Sequence, residues 1–165
     1  MGTATATIQD VLRHAEVLRG LTDDEIEMLE RLCTQESHPA GARLSTQGDE
    51  IHKLYVVEHG MVHFQIHIPG DGAWSVDSST GGDCFGWASL FGPPYRWASS
   101  AVCVQPTRLT AIEGAGLRAL CHSYPHIGFV MMAGIGRVVT YRLEKVRQQV
   151  ATLAAQMPSS GSRLG

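Results

Sequence analysis

Gly81-Gly-Asp-Cys-Phe-Gly86-Trp-Ala-Ser-Leu-Phe91-Gly-Pro-Pro-Tyr-Arg96-Trp-Ala-Ser-Ser-Ala101 is the stretch on which the rest of the chain turns. A glycine turn leads into a short apolar helical turn from Trp87 to Phe91, then a Gly-Pro-Pro break, then a lone Arg96 that runs straight into a strand. Glycines at 81, 82 and 86 let backbone N–H groups come close to a bound group, and the first turn of a helix leaves such groups unpaired and partly positive. Arg96, held by the rigid Pro93-Pro94 pair, is placed to fork onto a phosphate or carboxylate from the opposite side. The candidate ligand-binding residues are therefore Gly86, Trp87, Ala88, Ser89, Arg96 and Trp97, with the amides of Gly86 to Leu90 as anion donors.

Upstream of this cradle, from Ser37, short apolar runs alternate with glycine-bearing turns about ten residues apart, the signature of an antiparallel barrel or sandwich. Lys53 to Val57 reads as a strand between turns at Gly48-Asp49 and Gly60. Met61 to Ile68 alternates, with Val62, Phe64, Ile66 and Ile68 on the core face and His63 and His67 on the solvated one. Pro69-Gly-Asp-Gly72 is a hairpin turn, after which Trp74 and Val76 are expected to continue inward. Further upstream, Ile8 to Arg19 is expected as one short helix. Thr22-Asp-Asp-Glu25 is a capping box that opens a second, with Ile26, Leu29 and Leu32 as its apolar stripe.

Downstream, Ser99 to Val104 and Thr107 to Ile112 read as two more strands, followed by a short helix from Leu117 to His122. Pro125 then opens the longest regular stretch, 125–156. Along it Phe129, Met132, Gly136, Val139, Leu143, Val146, Val150 and Leu153 fall at alternating intervals of three and four, a heptad seam. Such a seam either covers the barrel or pairs with the same helix of a second chain. A helix longer than a small barrel needs favours a homodimer through Val139 to Leu153. Arg137, Arg142, Lys145 and Arg147 read as a solvated face.

The spacing Phe85-Gly86, helical turn, Pro94-Tyr95-Arg96, Ala98-Ser99 resembles the phosphate-binding cassette of cyclic-nucleotide-binding domains. Gly41-x-x-Leu44-x-x-x-Gly48-Asp49 and Leu54-Tyr55-Val56-Val57-x-x-Gly60 are similar to the early strands and turns of the same family, the sensor domain of catabolite-activator and Fnr-type regulators. The resemblance covers roughly residues 18 to 156. It implies a mainly β fold, an antiparallel β-roll or jelly roll with N-terminal helices and a long C-terminal helix, and a regulatory, ligand-sensing role. Where the family carries a glutamate for the ribose 2′-OH this chain has Trp87, and where a small or hydroxyl residue follows the arginine it has Trp97. Loss of one buried charged hydrogen bond, about 1.5–3 kcal/mol, predicts weak cyclic AMP binding, with Trp87 or Trp97 stacking on a base or aryl group instead. The alternative is a ligand-free dimerisation module whose pocket Trp87 has filled.

Length and composition agree with a single domain: 165 residues, 44% apolar and 18% charged, with a net charge of −3 that offers no broad attraction to nucleic acid. In transcription factors of this family the long helix leads into a helix-turn-helix domain, whereas here residues 157–165 read as a flexible tail. No direct DNA binding is expected, and signalling is expected to run through an unknown effector protein. There is no signal-peptide pattern and no apolar run of roughly 18 residues, so a cytoplasmic protein without membrane contact is expected. The four cysteines stand far apart and read as buried free thiols. His63 and His67 lie about 13 Å apart along a strand, too far to share a metal, and Pro125 separates His122 from His126. No nucleophile elbow, phosphate loop or tight His-x-His pair occurs, so neither an enzyme nor a resident cofactor is expected.

Overall fold

A computed structural model describes residues 6–92 and 95–157. The chain builds two four-stranded antiparallel sheets that face each other as a jelly roll, with helices against the outer face of one sheet. The strands are β1 (Cys33–His38), β2 (Arg43–Ser45), β3 (Lys53–His59), β4 (Met61–Ile68), β5 (Gly72–Thr80), β6 (Cys84–Phe85), β7 (Ser100–Cys103) and β8 (Thr107–Glu113). One sheet runs β1-β8-β3-β6 and the other β2-β7-β4-β5. The helices are α1 (Ile8–His14), α2 (Asp23–Glu30), α3 (Gly114–Ser123) and α4 (Pro125–Gln156), with short 3-10 turns at Glu16–Leu18 and Trp87–Phe91.

The unbroken apolar run in β3 has a direct structural cause, because this strand is buried on both faces. Val57 joins Val62, Phe64, Phe85, Ala101, Cys103 and Leu109 inside the roll, and Tyr55 packs against that cluster. Leu54 and Val56 face the other way and pack with Ile112 under Leu12, Leu18, Ile26, Leu29, Ile127 and Met131 of the helical layer. The capping box at Thr22 forms as expected, with the Thr22 hydroxyl accepting from the Glu25 amide and the Glu25 carboxylate accepting from the Thr22 amide. A second box, Thr7 with Asp10, opens α1.

Four expectations need correction. The helix over 8–19 breaks at Ala15, whose extended ψ of 126° ends α1 and starts the 3-10 turn, although Leu12, Ala15 and Leu18 all reach the core. The strands begin at Cys33 rather than Ser37. Inward alternation along β4 and β5 stops at Phe64: the register shifts between Phe64 and Gln65, Val76 is left without a partner in that register, and Ile68, Trp74 and Val76 are exposed. Finally, the heptad seam does not cover the roll. The face of α4 that packs inward is Ile127, Val130, Met131, Gly134, Ile135 and Val138, whereas Phe129, Met132, Val139, Leu143, Val146, Val150 and Leu153 are exposed. At 32 residues, α4 is about 48 Å long and outruns the roll. Met157 caps its end, and the remainder of the expected tail lies outside the described residues.

No helix among the described residues is long and apolar enough to cross a membrane. Among the same residues, no group of three or more His, Cys, Asp and Glu side chains gathers to hold a metal.

Candidate functional site

The cassette begins where β6 ends. Gly86 adopts φ of +77°, and a Cβ there would run into the Lys53 carbonyl of β3, so only glycine lets the chain leave β6 and turn into the 3-10 segment. The other glycines of the motif serve the β5–β6 connection instead of a ligand, since the Gly82 amide is taken by the Val57 carbonyl at 2.8 Å. Within the 3-10 turn the Ser89 amide returns to the Gly86 carbonyl at 3.0 Å. The Ser89 side chain is buried against Gly114, its hydroxyl is unpartnered, and its carbonyl accepts from Arg118 of α3. Ser89 thus ties the cassette to α3 and does not present its hydroxyl to a ligand cleft.

The two residues expected to meet a ligand from the far side, Arg96 and Trp97, face opposite ways. Residues 95–97 run antiparallel to residues 48–51, with Gly48 N–H to Trp97 O at 2.8 Å and Trp97 N–H to Asp49 O at 2.8 Å. Neighbours in an extended segment point to opposite sides. Trp97 turns inward, its ring centroid 6.1 Å from Phe85 and its edge close to Gly86. Arg96 therefore turns outward, donating to the Gly48 carbonyl at 2.9 Å and to Glu50 at 3.4 Å, with 57% of its side chain exposed.

Inside the roll Phe85 is the hub, stacked on Tyr55 at 5.0 Å and edge-on to Phe64 at 5.3 Å. On the same face of β3, Lys53 pairs with Glu36 at 2.8 Å. Burial alone would raise the Glu36 carboxyl, but hydrogen bonds from Lys53 and His38 outweigh it and hold it below the usual range. The hydrogen bond to Glu36 raises Lys53 in turn.

Trp87, expected to stack on a base or to fill the pocket, lies between the cassette and α4. It packs against the helical core, and the Arg142 guanidinium sits 4.7 Å above its ring. Arg142 was expected on a solvated face. It is only 24% exposed, lies 5.7 Å from the Phe64 centroid, pairs with Asp77 at 3.1 Å and donates to the Ser79 hydroxyl at 3.2 Å. The signal that finds it is the inward stripe of α4, which runs Met131, Ile135, Val138 and, one turn on, Arg142. Beside it opens a cavity of about 250 Å³, lined by Asp77, Thr80, Cys84, Val138, Arg142 and Lys145 among others. Burial pushes the Cys84 thiol up to about 12.

Residues 35–124, which span the roll, the cassette and α3, match the cyclic nucleotide-binding domain. The chain belongs to the cyclic nucleotide-binding domain family. Solved structures of the same fold include a candidate cyclic nucleotide-binding protein of Geobacter metallireducens, at 26% identity and TM-score 0.72 over 84% of this chain and 99% of that one. A cyclic nucleotide-binding domain from Methylobacillus flagellatus aligns at 18% identity and TM-score 0.75 over 96% and 85%. The catabolite activator protein of Thermus thermophilus aligns at 23% identity and TM-score 0.69 over 85% and 63%. Comparison with curated protein sequences returns no match. The matched span includes the turn of Trp87–Phe91 and Arg96, whose side chain is engaged at the rim by Gly48 and Glu50.

Proposed function

We propose that this cyclic nucleotide-binding domain is a ligand sensor that works as a homodimer and signals through an effector protein. One observation carries the reading: α4 alone bears both the contact with the cassette, through Arg142 over Trp87, and the exposed apolar seam that a second copy can cover. A change at the cassette thereby reaches the dimer surface along one rigid element. The ligand is anionic or nucleotide-like, held by the first amides of the 87–91 turn and by Arg96 once that side chain leaves Glu50, the Ser89 amide being already taken by Gly86. The exposed Arg96–Glu50 pair is cheap to part. Trp87 in place of the family's glutamate makes cyclic AMP a weak ligand.

A second reading, a ligand-free dimerisation module, is favoured by the interior, where Tyr55, Phe64, Phe85 and Trp97 fill the roll. The indole inside is that of Trp97 and not of Trp87. Titration calorimetry with cyclic AMP, cyclic GMP and cyclic dinucleotides, on the wild type and on Arg96→Ala, separates the two. Binding heat that disappears in the variant supports the sensor. Absence of heat from every ligand, with a dimer seen by light scattering, supports the module.

A further inference from the structure

The geometry points to Arg142 as an internal occupant of the ligand cleft, a guanidinium plug that a planar aromatic ring must displace from Trp87. This rests on the ligand-sensing reading above and assigns the residue that regulates that site. Arg142 reaches out of α4 to partners on three other elements: Phe64 of β4, Asp77 and Ser79 of β5, and Trp87 of the cassette. An aromatic face, a carboxylate and a hydroxyl converging at the mouth of a roll are the contacts a nucleobase-like ring would use. Here a side chain of the same molecule uses them. A guanidinium is planar and weakly hydrated and stacks on indole much as an aromatic ring does, so the two compete for one surface.

The energetic weight of the plug follows from where α4 leaves the domain. Among the described residues of α4 beyond Val138, Arg142 is the only one that is not exposed. Lys145, 4.0 Å from Asp77, is the nearest support and is half exposed. The free half of the helix is therefore tethered to the roll chiefly through one charged side chain lying over an aromatic face, with Lys145 as a lesser support, and whatever takes the Trp87 face loosens that tether.

The test uses the full chain labelled with 5-fluorotryptophan, with the Trp87 fluorine resonance assigned by Trp87→Phe. Arg142→Gln should shift the Trp87 resonance and leave that of Trp74 in place, and Asp77→Asn, which loosens the guanidinium without removing it, should shift it by less. With 8-anilinonaphthalene-1-sulfonate as an aromatic-anion probe, Arg142→Gln should bind on the order of tenfold tighter than wild type, and the exposed control Arg147→Gln should bind as wild type does. An unmoved Trp87 resonance, an unchanged probe affinity, or equal tightening in Arg147→Gln overturns the plug. If cyclic AMP and cyclic GMP fail to bind either protein while the Trp87 and probe responses appear, the cyclic-nucleotide reading falls and the plug is supported.

Discussion

Gly134 of α4 lies so close to the backbone of Val17 that a Cβ there would come within 2.5 Å of the Val17 carbonyl oxygen and 2.7 Å of its Cα. Backbone atoms on both sides cannot yield as a flexible side chain would. Gly134→Ala is expected to push α4 off the 3-10 turn and to cost about 1–3 kcal/mol, read as a lower urea midpoint with an unchanged slope. An alanine variant as stable as wild type would show that the contact is looser than described.

Arg96 gives the opposite profile. Its guanidinium is held at the rim by a carbonyl and by a half-exposed Glu50, so Arg96→Ala should leave stability within about 1 kcal/mol of wild type. If the sensor reading holds, the same variant loses the calorimetric response to an anionic ligand. A stable protein with lost binding marks a functional arginine, whereas a large loss of stability would mark a structural one.

The seam of α4 predicts its own disruption. Leu143→Glu places a charge at the middle of an exposed apolar row and should give a monomer by light scattering, with the thermal midpoint of the domain little changed. Gly136, in the same row, has nothing outside its own stretch of helix within 4 Å of where a Cβ would stand. On the Leu143→Glu background, Gly136→Ala should therefore add about 0.5–1 kcal/mol through helix propensity alone. A failure to gain would place Gly136 against something in the monomer.

Buried thiols make the fold sensitive to alkaline pH. Burial pushes both Cys33 and Cys84 from the ordinary 9.0 to about 12, with Glu30 adding to the effect at Cys33. A native value above the unfolded one means the unfolded chain releases the proton first. Stability is thus complete below about pH 9 and falls as pH rises toward 12. Urea unfolding at stepped alkaline pH should show this decline, and Cys84→Ala should make it shallower.

Much of this architecture was legible because local chemistry and tertiary structure agree. Thr22 and Glu25 satisfy each other's end amides whatever lies around them, Pro125 opens α4 where an imide at a first helical position is favoured, and the turn of Trp87–Phe91 lies where its apolar residues and flanking glycines put it. Period alone could not decide which of two apolar rows on α4 faces the roll, since both repeat at three and four. The outcome depends on Gly134 fitting Val17, a distance that no spacing encodes. Around residues 86–101 the turn and the strand that follows lie where the sequence put them, but the side-chain directions do not. Adjacency in the 81–101 stretch made Arg96 and Trp97 joint candidates, but extended neighbours diverge, and the pairing of 95–97 with 48–51 that imposes this is a long-range contact. Arg142 was missed for the complementary reason, a charge at the end of an apolar stripe being taken for solvent-facing.

The misfit at Val76 also bears on how copies of this chain can meet. β5 is the outermost strand of its sheet, and an unprotected outer strand carrying exposed Trp74 and Val76 would be a template for adding foreign strands. An extra residue in mid-strand breaks the regular ladder that such a template requires. Growth into open-ended fibrils is thereby discouraged, and the apolar row left exposed on α4 is a helical surface, which cannot extend a sheet strand by strand.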